Sequence, residues 1–378
     1  MKGLKVAFVS FYLGEYCVRL ASGIAEDSDT SVRLFLPKKE AEPYLRLLNS
    51  PVGLQLFDMP RMRHPFKHVQ MLASLVRQIR SFNPDVIHLQ FVHLSFNLFA
   101  LPFLKNYPLV LTVHDALIHP GDADSAKTPQ WVYDRACHQA RERIVHAPQV
   151  KELLLQRMGI PSDTIHVIPH VLMGEDSALV EEEPLSEVPE VLFFGRIWEY
   201  KGLEYLIRAE PLITSIVPEA KIVIAGRGED FGRYRRMMVH PDKFVIHNEY
   251  VSDAKRATLF RRASVVVLPY IEASQSGVIP VAYSFCKPVV ATTVGGLPEM
   301  VEHGRTGYLV PPRDENALAK AIVGLLRDKA LQRQLGENGR RKVNAECSPE
   351  AVGRMTRRVY GEAVNESRLS SIPTAMTS

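Results

Sequence analysis

The chain has 378 residues, a formal net charge of +4 and a hydrophobic fraction of 46%, which is typical of a globular protein with two domains. The small net charge and the lack of any nucleic-acid-binding motif exclude nucleic acid as an expected partner. Four scattered cysteines without a C-x-x-C spacing argue against a zinc or redox site and favour a reducing, cytoplasmic location.

The first half of the chain alternates short aliphatic runs with amphipathic stretches, which predicts βαβ units and a largely parallel sheet. Seven strands are predicted, at residues 5–10, 32–37, 54–59, 85–90, 109–114, 143–147 and 165–170. The longest apolar region, residues 91–113, is interrupted by polar residues and prolines. It lacks the roughly 18 uninterrupted apolar residues of a membrane span, so we expect none.

An acidic segment with two prolines, residues 175–190, predicts a linker after a first domain at residues 1–174. The second domain is expected at residues 191–348. Its predicted strands are residues 191–195, 221–226, 244–250, 265–270, 289–293 and 307–312. A helix is expected at 349–364 and a flexible tail at 365–378. Ligands of doubly wound sheets bind beyond the carboxyl ends of the strands, so we expect a site in the cleft between the domains.

Two cations follow the first strand of the second domain. In FFGRIWEYKG the predicted strand ends at Gly195, and Arg196 and Lys201 bracket a short loop before a helix. Arginine binds phosphate through a bidentate fork and lysine through a point charge. The pair predicts a diphosphate site, whereas either residue alone would more often be a solvated surface side chain.

The stretch IEASQSGVIPVAYSF also predicts an anion site. Small polar residues and a glycine stand after a predicted strand and before a helical pattern, beside Glu272. Backbone N–H groups at a helix start, with the helix dipole behind them, favour phosphate. The candidate phosphate-binding residues are Ser274, Gln275, Ser276, Gly277 and Val278.

Two other strand ends of the second domain carry weaker signals for the nucleotide. Gly226 and Gly228 lie in AGRGED, where a plain tight turn is an equally good interpretation. Tyr250 and Val251 follow the next predicted strand, where backbone amides can meet a base.

In the first domain, LTVHD places His114 and Asp115 directly after a predicted strand. A histidine there can act as a base, a hydrogen-bond donor or an orienting group near a sugar. The alternatives are a structural cap formed with Asp115, or His88, which ends the preceding strand in the same way. Gly14, after the first strand, is either a glycine of close approach in a βα turn or only a turn residue.

Residues 59–84 are basic on one side of a predicted helix and apolar on the other. The segment contains no acidic residue, and its basic residues are Arg61, Arg63, His64, Lys67, His68, Arg77 and Arg80. This pattern predicts either a solvated helix face or a surface for an anionic acceptor or membrane headgroups. The expected location is the cytoplasm, with peripheral contact at the inner face of the membrane as an option.

Taken together, FFGRIWEYKGLEYLIRA, KIVIAGRGED, VVVLPY, SQSGVIPVAYSFCKPVVATTVGGLPEMVEHGRTGYLVPP, PDVIHLQF, LTVHD and RIVHAPQVKELLL resemble glycosyltransferase family 4. The resemblance covers almost the whole chain. It implies the GT-B fold, with two Rossmann-like doubly wound domains facing across a cleft, and a retaining transfer from a nucleotide-sugar. No cofactor is implied, and the donor is expected to be a UDP-, GDP- or ADP-sugar.

The resemblance also implies roles for individual residues. Arg196 and Lys201 would hold the donor diphosphate together with the backbone amides of residues 274–278. His114 would lie by the transferred sugar, and the helix at 349–364 would cross back onto the first domain. The acceptor is expected to be a glycan or a lipid-linked glycan, and we expect no metal.

The chain departs from the family in its acidic pair. Relatives show two glutamates separated by seven residues, of which the first contacts the donor sugar and the second the ribose. Counting from Glu272 places Pro280 at the second position, and counting back from Lys287 places Ala273 and Val281. Glu272 remains a catalytic candidate one residue out of register, and a carboxylate contact with the ribose is lost.

The expected mechanism is front-face attack by an acceptor hydroxyl. Arg196 and Lys201 would stabilise charge on the diphosphate leaving group, and His114 would orient the acceptor. Two other functions remain open at this point: a nucleotide-sugar epimerase of the same fold, and a non-catalytic nucleotide-sugar-binding protein. A dehydrogenase is not supported, because FYLGEY rather than G-x-G-x-x-G follows the first strand.

Overall fold

A computed structural model describes residues 3–48, 51–60, 63–114, 116–117, 128–173, 188–273 and 276–369. Four of the residues discussed above lie outside the described residues: Arg61, Asp115, Ser274 and Gln275. Residues 175–187 of the predicted linker and residues 370–378 of the predicted tail also lie outside them.

The first sheet has seven parallel strands in the order β3-β2-β1-β4-β5-β6-β7. They are β1 (Leu4–Val9), β2 (Thr30–Pro37), β3 (Gly53–Phe57), β4 (Val86–Leu89), β5 (Leu109–Val113), β6 (Glu142–Val145) and β7 (Ile165–Val167). All seven predicted strands are confirmed. The central strands are largely apolar because helices cover both faces of the sheet, and the adjacent residues Phe8 and Val9, which point to opposite faces of β1, are both fully buried.

The helices of the first sheet carry the amphipathic pattern seen in the sequence. They are α1 (Gly14–Ala25), α2 (Lys38–Ala41), α3 (Pro65–Phe82), α4 (Gln130–Gln139) and α5 (Pro148–Met158). Helix α3 begins with a proline in its first turn and ends at Asn83 in the left-handed conformation, both of which are common helix boundaries. Its buried residues include Leu72, Leu75 and Ile79, at helical spacing.

The second sheet has six parallel strands in the order β10-β9-β8-β11-β12-β13. They are β8 (Glu190–Phe194), β9 (Lys221–Ala225), β10 (Phe244–His247), β11 (Val265–Leu268), β12 (Val289–Thr292) and β13 (Gly307–Val310). All six predicted strands are again confirmed. The helices are α6 (Leu203–Thr214), α7 (Gly232–Arg235), α8 (Asp253–Arg262), α9 (Val278–Ser284), α10 (Leu297–Met300), α11 (Glu315–Arg327) and α12 (Lys329–Cys347).

The last helix, α13 (Pro349–Leu369), belongs to the first compact unit, which otherwise ends at Val171, while the second unit runs from Leu172 to Glu346. Helix α13 extends five residues beyond the end expected from the sequence, residue 364. It packs closely on α1, because a side chain at Gly23 would meet the carbonyl oxygen of Pro349 at 1.8 Å. Its Tyr360 hydroxyl lies 2.7 Å from Nδ1 of His88, on β4.

Both sheets are doubly wound: successive strands are added on one side of the first strand and then, after a switch point, on its other side. That switch point lies between β1 and β4 in the first sheet and between β8 and β11 in the second. The loops after these strands are therefore the first places to look for a ligand. No helix in the described part of the chain is long and apolar enough to cross a membrane.

Candidate functional site

The loop after β8 places Arg196 at the carboxyl end of the strands of the second sheet. The strand ends where Gly195 adopts a φ of +125°, a conformation that residues with a side chain rarely take. Arg196 follows as an exposed residue, and its Nη2 lies 3.4 Å from the hydroxyl oxygen of Tyr200 in the same loop. The guanidinium group thus stands at the switch point of the sheet, where a permanent positive charge suits an anionic ligand.

Lys201 is held at the end of the same loop by two aromatic rings. Its Nζ lies 3.8 Å from the ring centroid of Tyr270 and 5.0 Å from that of Tyr200. Both distances are within the range of cation–π attraction, which here restricts a flexible side chain. Tyr270 is buried, and burial raises the pKa of its phenol to about 12. The phenol therefore stays neutral and its ring remains an uncharged support for the ammonium group.

The loops after β8 and β11 are joined by backbone contacts. The Tyr200 carbonyl oxygen accepts a hydrogen bond of 2.8 Å from the backbone N–H of Ile271. Gly202 adopts a φ of +63°, and a Cβ there would lie 1.9 Å from the carbonyl oxygen of Pro269. Only glycine allows this approach, so the sequence holds Arg196 and Lys201 close to the segment that contains Glu272.

The loop after β11 places the described part of the predicted anion site beside these cations. Glu272 is exposed, and Ser276 is buried with its Oγ 3.3 Å from the Tyr270 hydroxyl. The backbone N–H of Val278, the first residue of α9, donates to the same Ser276 oxygen at 3.3 Å. Gly277 is the residue before the helix and is half-buried.

The two positions at which a second glutamate was considered are both apolar and buried. Pro280 and Val281 lie within α9, and 5% of the Val281 surface is exposed. Whichever of the two alignments is used, the position of the second glutamate is therefore taken by a buried core residue in this chain.

Gly226 and Gly228, predicted as nucleotide contacts, have a packing role in the structure. A Cβ at Gly226 would lie 1.8 Å from the carbonyl oxygen of Gly195, and one at Gly228 would lie 1.9 Å from that of Ile197. Both glycines therefore allow the loop after β9 to lie against the loop that carries Arg196. Tyr250 and Val251 follow β10, the edge strand, and Tyr250 is 81% exposed. Their contact with a nucleotide stays a prediction.

In the first unit, His114 follows β5 and is half-buried. The Gln90 amide donates a hydrogen bond to its Nε2 at 2.9 Å, which places the proton of the neutral ring on Nδ1. Burial is the main cause that lowers the pKa of His114 well below its usual value, and nearby histidines lower it further. The ring is therefore neutral at physiological pH, and its Nδ1–H is a donor that can bond the oxygen of a hydroxyl group.

Two histidines that the sequence analysis missed join His114. His146 follows β6 directly and His170 comes three residues after β7; β6 is the neighbour of β5 in the sheet, and β7 is the neighbour of β6. The ring centroids of His146 and His170 lie 4.9 Å and 5.9 Å from that of His114. The local signal in the sequence is a histidine at or near the end of each of three consecutive predicted strands.

The rival candidate, His88, is fully buried and has structural partners on both ring nitrogens. Nε2 lies 2.8 Å from the Thr112 hydroxyl oxygen, Nδ1 bonds the Tyr360 hydroxyl, and the ring stacks on Phe8. Gly14 opens α1, and a Cβ there would lie 1.7 Å from the Glu40 carbonyl oxygen. Both residues therefore have a packing explanation.

Two family models match the chain in sequence. Residues 13–172 match the model described as Glycosyltransferase Family 4, and residues 188–328 match the one described as Glycosyl transferases group 1. The chain is a glycosyltransferase, with a family 4 domain followed by a group 1 domain. As a glycosyltransferase, it has the activity class that the resemblance implied.

Curated relatives of this glycosyltransferase act on different substrates. It is 26% identical to the glycogen synthase of Mycobacterium tuberculosis, over 79% of the chain and 74% of that protein. It is 24% identical to the alpha-D-kanosaminyltransferase of Streptomyces kanamyceticus, over 71% and 74%. It is 33% identical to the phosphatidyl-myo-inositol mannosyltransferase of Mycobacterium leprae, over 38% of each chain.

Solved structures confirm the GT-B class of fold. The sucrose-phosphate synthase of Thermosynechococcus elongatus superposes with a TM-score of 0.69 at 21% identity, over 96% of this chain and all of that chain. HepE of Anabaena, determined in complex with UDP, also gives 0.69, at 18% identity over 95% and 100%.

The first unit of the glycosyltransferase also has an apolar cavity of about 510 Å³ between α3 and residues 95–103. Its lining includes Leu72, Val76, Phe99 and Phe103, and the two phenylalanines are 65% and 62% exposed. His68 also lines the cavity, and neither of its buried ring nitrogens has a hydrogen-bond partner among the described residues. Of the basic residues predicted for this face, His68 is buried, and the others that the structure describes are exposed: Arg63, His64, Lys67, Arg77 and Arg80.

Proposed function

We propose that this glycosyltransferase moves a sugar from a nucleotide diphosphate-sugar to an acceptor hydroxyl with retention of the anomeric configuration. The observation that carries the proposal is the pair Arg196 and Lys201 at the switch point of the second sheet, joined by backbone contacts to the loop after β11. The leaving group of such a reaction is a diphosphate, which gains negative charge as the sugar bond breaks.

The two cations suit this task because their positions are set before the ligand arrives. Lys201 lies on the buried Tyr270 ring, and Arg196 contacts the Tyr200 hydroxyl. Preorganised positive groups stabilise a developing charge without the cost of reorienting solvent. We therefore propose transfer without a divalent ion at the diphosphate, with amides of the loop before α9 as further donors.

Retention is part of the proposal because of the family. Front-face attack requires that the acceptor hydroxyl reach the sugar on the same side as the departing diphosphate. Glu272 is exposed in the loop after β11 and is proposed to contact the donor sugar. His114, neutral through burial, is proposed to orient the acceptor hydroxyl by donating a hydrogen bond from Nδ1–H to its oxygen.

The donor is proposed to be a UDP-, GDP- or ADP-sugar, in line with the UDP complex of HepE. The acceptor is proposed to be a glycan carried on a lipid. The apolar cavity beside α3 suits a hydrocarbon chain, His68 offers a polar contact inside it, and the basic residues around it suit anionic headgroups. The enzyme would then work in the cytoplasm, at the inner face of the membrane.

The donor is tested by thermal unfolding and calorimetry with UDP-, GDP- and ADP-sugars, followed by transfer assays with the donor that binds. Arg196→Ala and Lys201→Ala should each lower the transfer rate about 100-fold or more, since removing one preorganised group costs about 3 kcal/mol. Lys320→Ala, an exposed cation on α11, is the matched control. Unchanged rates in the first two variants would reject the diphosphate site.

Product analysis separates transfer from the two other functions. Chromatography of the sugar product distinguishes a glycoside from a free epimer, and NMR of the glycoside gives its anomeric configuration. Donor binding without turnover on a broad acceptor panel would instead favour a non-catalytic binding protein.

The lipid contact is tested by co-sedimentation with vesicles of anionic or neutral phospholipid. The double variant Phe99→Ser and Phe103→Ser should bind anionic vesicles about tenfold more weakly than the wild type. Trp131→Ser, an exposed aromatic on α4, is the control and should bind as the wild type does. Equal binding of anionic vesicles by all three proteins would contradict this part of the proposal.

A further inference from the structure

Three histidine side chains converge at the carboxyl ends of neighbouring strands in the first unit. His114, His146 and His170 each offer a ring nitrogen, and these nitrogens lie within 4.8 Å of one another. We propose that the three histidines form a binding site for one divalent transition-metal ion of the zinc class. This inference concerns metal binding by the first unit in the absence of substrate and does not rest on the proposed transfer reaction, in which His114 acts without a metal.

The geometry is close to that of a three-histidine centre. In a tetrahedral site with Zn–N bonds of 2.0–2.1 Å, two ligand nitrogens lie about 3.3 Å apart. Small rotations about the side-chain bonds bring nitrogens within 4.8 Å to that separation. His114 is half-buried, which gives an ion access from solvent, while His146 and His170 are buried.

Backbone partners already orient two of the rings as in known metal centres. Nδ1 of His146 lies 2.9 Å from the Ile168 carbonyl oxygen, and Nδ1 of His170 lies 3.1 Å from that of Val171. In a neutral ring, an Nδ1–H donated to a carbonyl leaves the lone pair on Nε2. Metal-binding histidines are typically fixed in this way by an outer hydrogen bond.

Gln90 provides the corresponding partner for His114. Its side chain is fully buried, its Nε2 donates to His114, and its Oε1 has no hydrogen-bond partner among the described residues. If the amide turns over, Oε1 accepts a hydrogen bond from Nε2–H of His114, and the Nδ1 lone pair is left for a metal. This arrangement gives the buried Gln90 oxygen the partner that it otherwise lacks.

The chemistry of the cluster selects the class of ion. All three side chains of the cluster are imidazoles. Neutral imidazoles bind zinc, copper, nickel and cobalt, whereas magnesium and calcium require oxygen ligands. The expectation of no metal was based on the lack of a cysteine spacing or an acidic motif for a metal. Such local motifs cannot detect three histidines that come from the ends of three different strands.

A second group, Glu142, His166 and Glu362, also meets the distance requirement but has a simpler explanation. Nε2 of His166 lies 2.8 Å from Glu142 and 3.5 Å from Glu362, so the histidine already pairs with both carboxylates. This group therefore serves as the control.

The test is metal binding by the full chain after treatment with a chelator. Co²⁺ is titrated by visible absorption, and Zn²⁺ stoichiometry is measured after dialysis. We expect one ion per chain, and binding weaker by at least about 100-fold in His146→Asn and in His170→Asn. The controls His166→Gln and His138→Gln, an exposed histidine, should bind as the wild type does.

Pulsed EPR of the Cu²⁺-loaded wild type gives an answer that does not depend on how the variants fold. The spectrum should show coupling to at least two imidazole rings. The inference is overturned if the wild type binds no ion at micromolar concentration, if His146→Asn and His170→Asn bind as tightly as the wild type, or if His166→Gln abolishes binding. It is also overturned if the EPR spectrum shows fewer than two imidazoles.

Discussion

The strand ends of the two sheets differ in chemistry although the strands run in the same order. After β8, the second unit carries permanent cations, Arg196 and Lys201, which contact the tyrosine side chains Tyr200 and Tyr270. After β5, β6 and β7, the first unit carries the histidines His114, His146 and His170, and burial lowers the pKa of His114 and of His170. The first arrangement suits an anion, and the second suits hydroxyl groups or a metal ion.

This difference follows from burial and from the type of residue. Arginine and lysine keep their charge through most environments, so the second unit can place them half-buried or exposed and still attract phosphate. Imidazole titrates near neutral pH, so burial that lowers its pKa by one or two units makes histidine neutral at physiological pH. Arginine and lysine titrate at much higher pH and stay charged after a shift of that size. One strand order thus supports two kinds of site, selected by a few side chains.

The largest expected effect is on catalysis by His114. We expect His114→Ala to lower kcat about 100- to 1,000-fold while KM for the donor changes little, since a positioned acid–base group typically contributes 10²- to 10⁴-fold. Steady-state kinetics with the identified donor and acceptor measure both constants.

His138→Ala, which replaces an exposed histidine of the same unit, is the control and should keep wild-type constants. If His114→Ala raises KM for the donor and leaves kcat unchanged, His114 binds the donor and does not assist catalysis. The proposed difference between the two units, with a leaving-group site in the second and an acceptor site in the first, would then be wrong.

The next effect is on the stability of the second unit through Gly202. Gly202→Ala should lower the free energy of unfolding by about 3 kcal/mol or more, because it adds a clash with the Pro269 carbonyl to an unfavourable φ of +63°. Gly304→Ala is matched, since Gly304 has a φ of +75° with nothing within 4 Å of a Cβ, and should cost only about 1–2 kcal/mol.

Urea unfolding followed by fluorescence measures the difference. In a Trp131→Phe background the remaining tryptophan, Trp198, reports on the second unit alone. Equal losses in the two glycine variants would mean that the close approach between the loops after β8 and β11 contributes nothing to stability.

The sequence predicted the local structure better than the meeting of distant residues. All thirteen strands were predicted, because most contain short aliphatic runs, such as VVVL at Val265–Leu268, that are buried on both faces of a parallel sheet. The positions of Arg196 and Lys201 after β8 also followed, since they depend only on where one strand ends. The end of α13 at Leu369 did not, because the residues after 364 are polar and carry no helical periodicity.

The convergence of His114, His146 and His170 could not be predicted in the same way. Each residue has an ordinary local pattern, and their contact depends on the order of β5, β6 and β7 in the sheet. The support of Lys201 by Tyr270 also depends on two strands, β8 and β11, that are neighbours in the sheet and distant in the chain. Strand order is the information that a single sequence lacks.

The smallest expected effect concerns the pH dependence of stability in the first unit. Burial, and then repulsion by His146, lowers the pKa of His88 from about 6.5 to about 3. Below pH 6.5 the unfolded chain takes up a proton that the folded chain does not, so the stability that His88 contributes is complete above pH 6.5 and is lost as the pH falls towards 3. Between pH 6.5 and 5 this loss is about 1–2 kcal/mol.

His88→Gln should therefore lose about 1–2 kcal/mol less stability than the wild type over that pH range, although it is less stable at pH 7 because Tyr360 and Thr112 lose a partner. Urea unfolding in a Trp198→Phe background, in which Trp131 reports on the first unit, measures both curves. His138→Gln should follow the wild-type curve. Parallel curves for His88→Gln and the wild type would show that the folded protein protonates His88 as readily as the unfolded chain, and that burial on β4 does not hold this ring neutral.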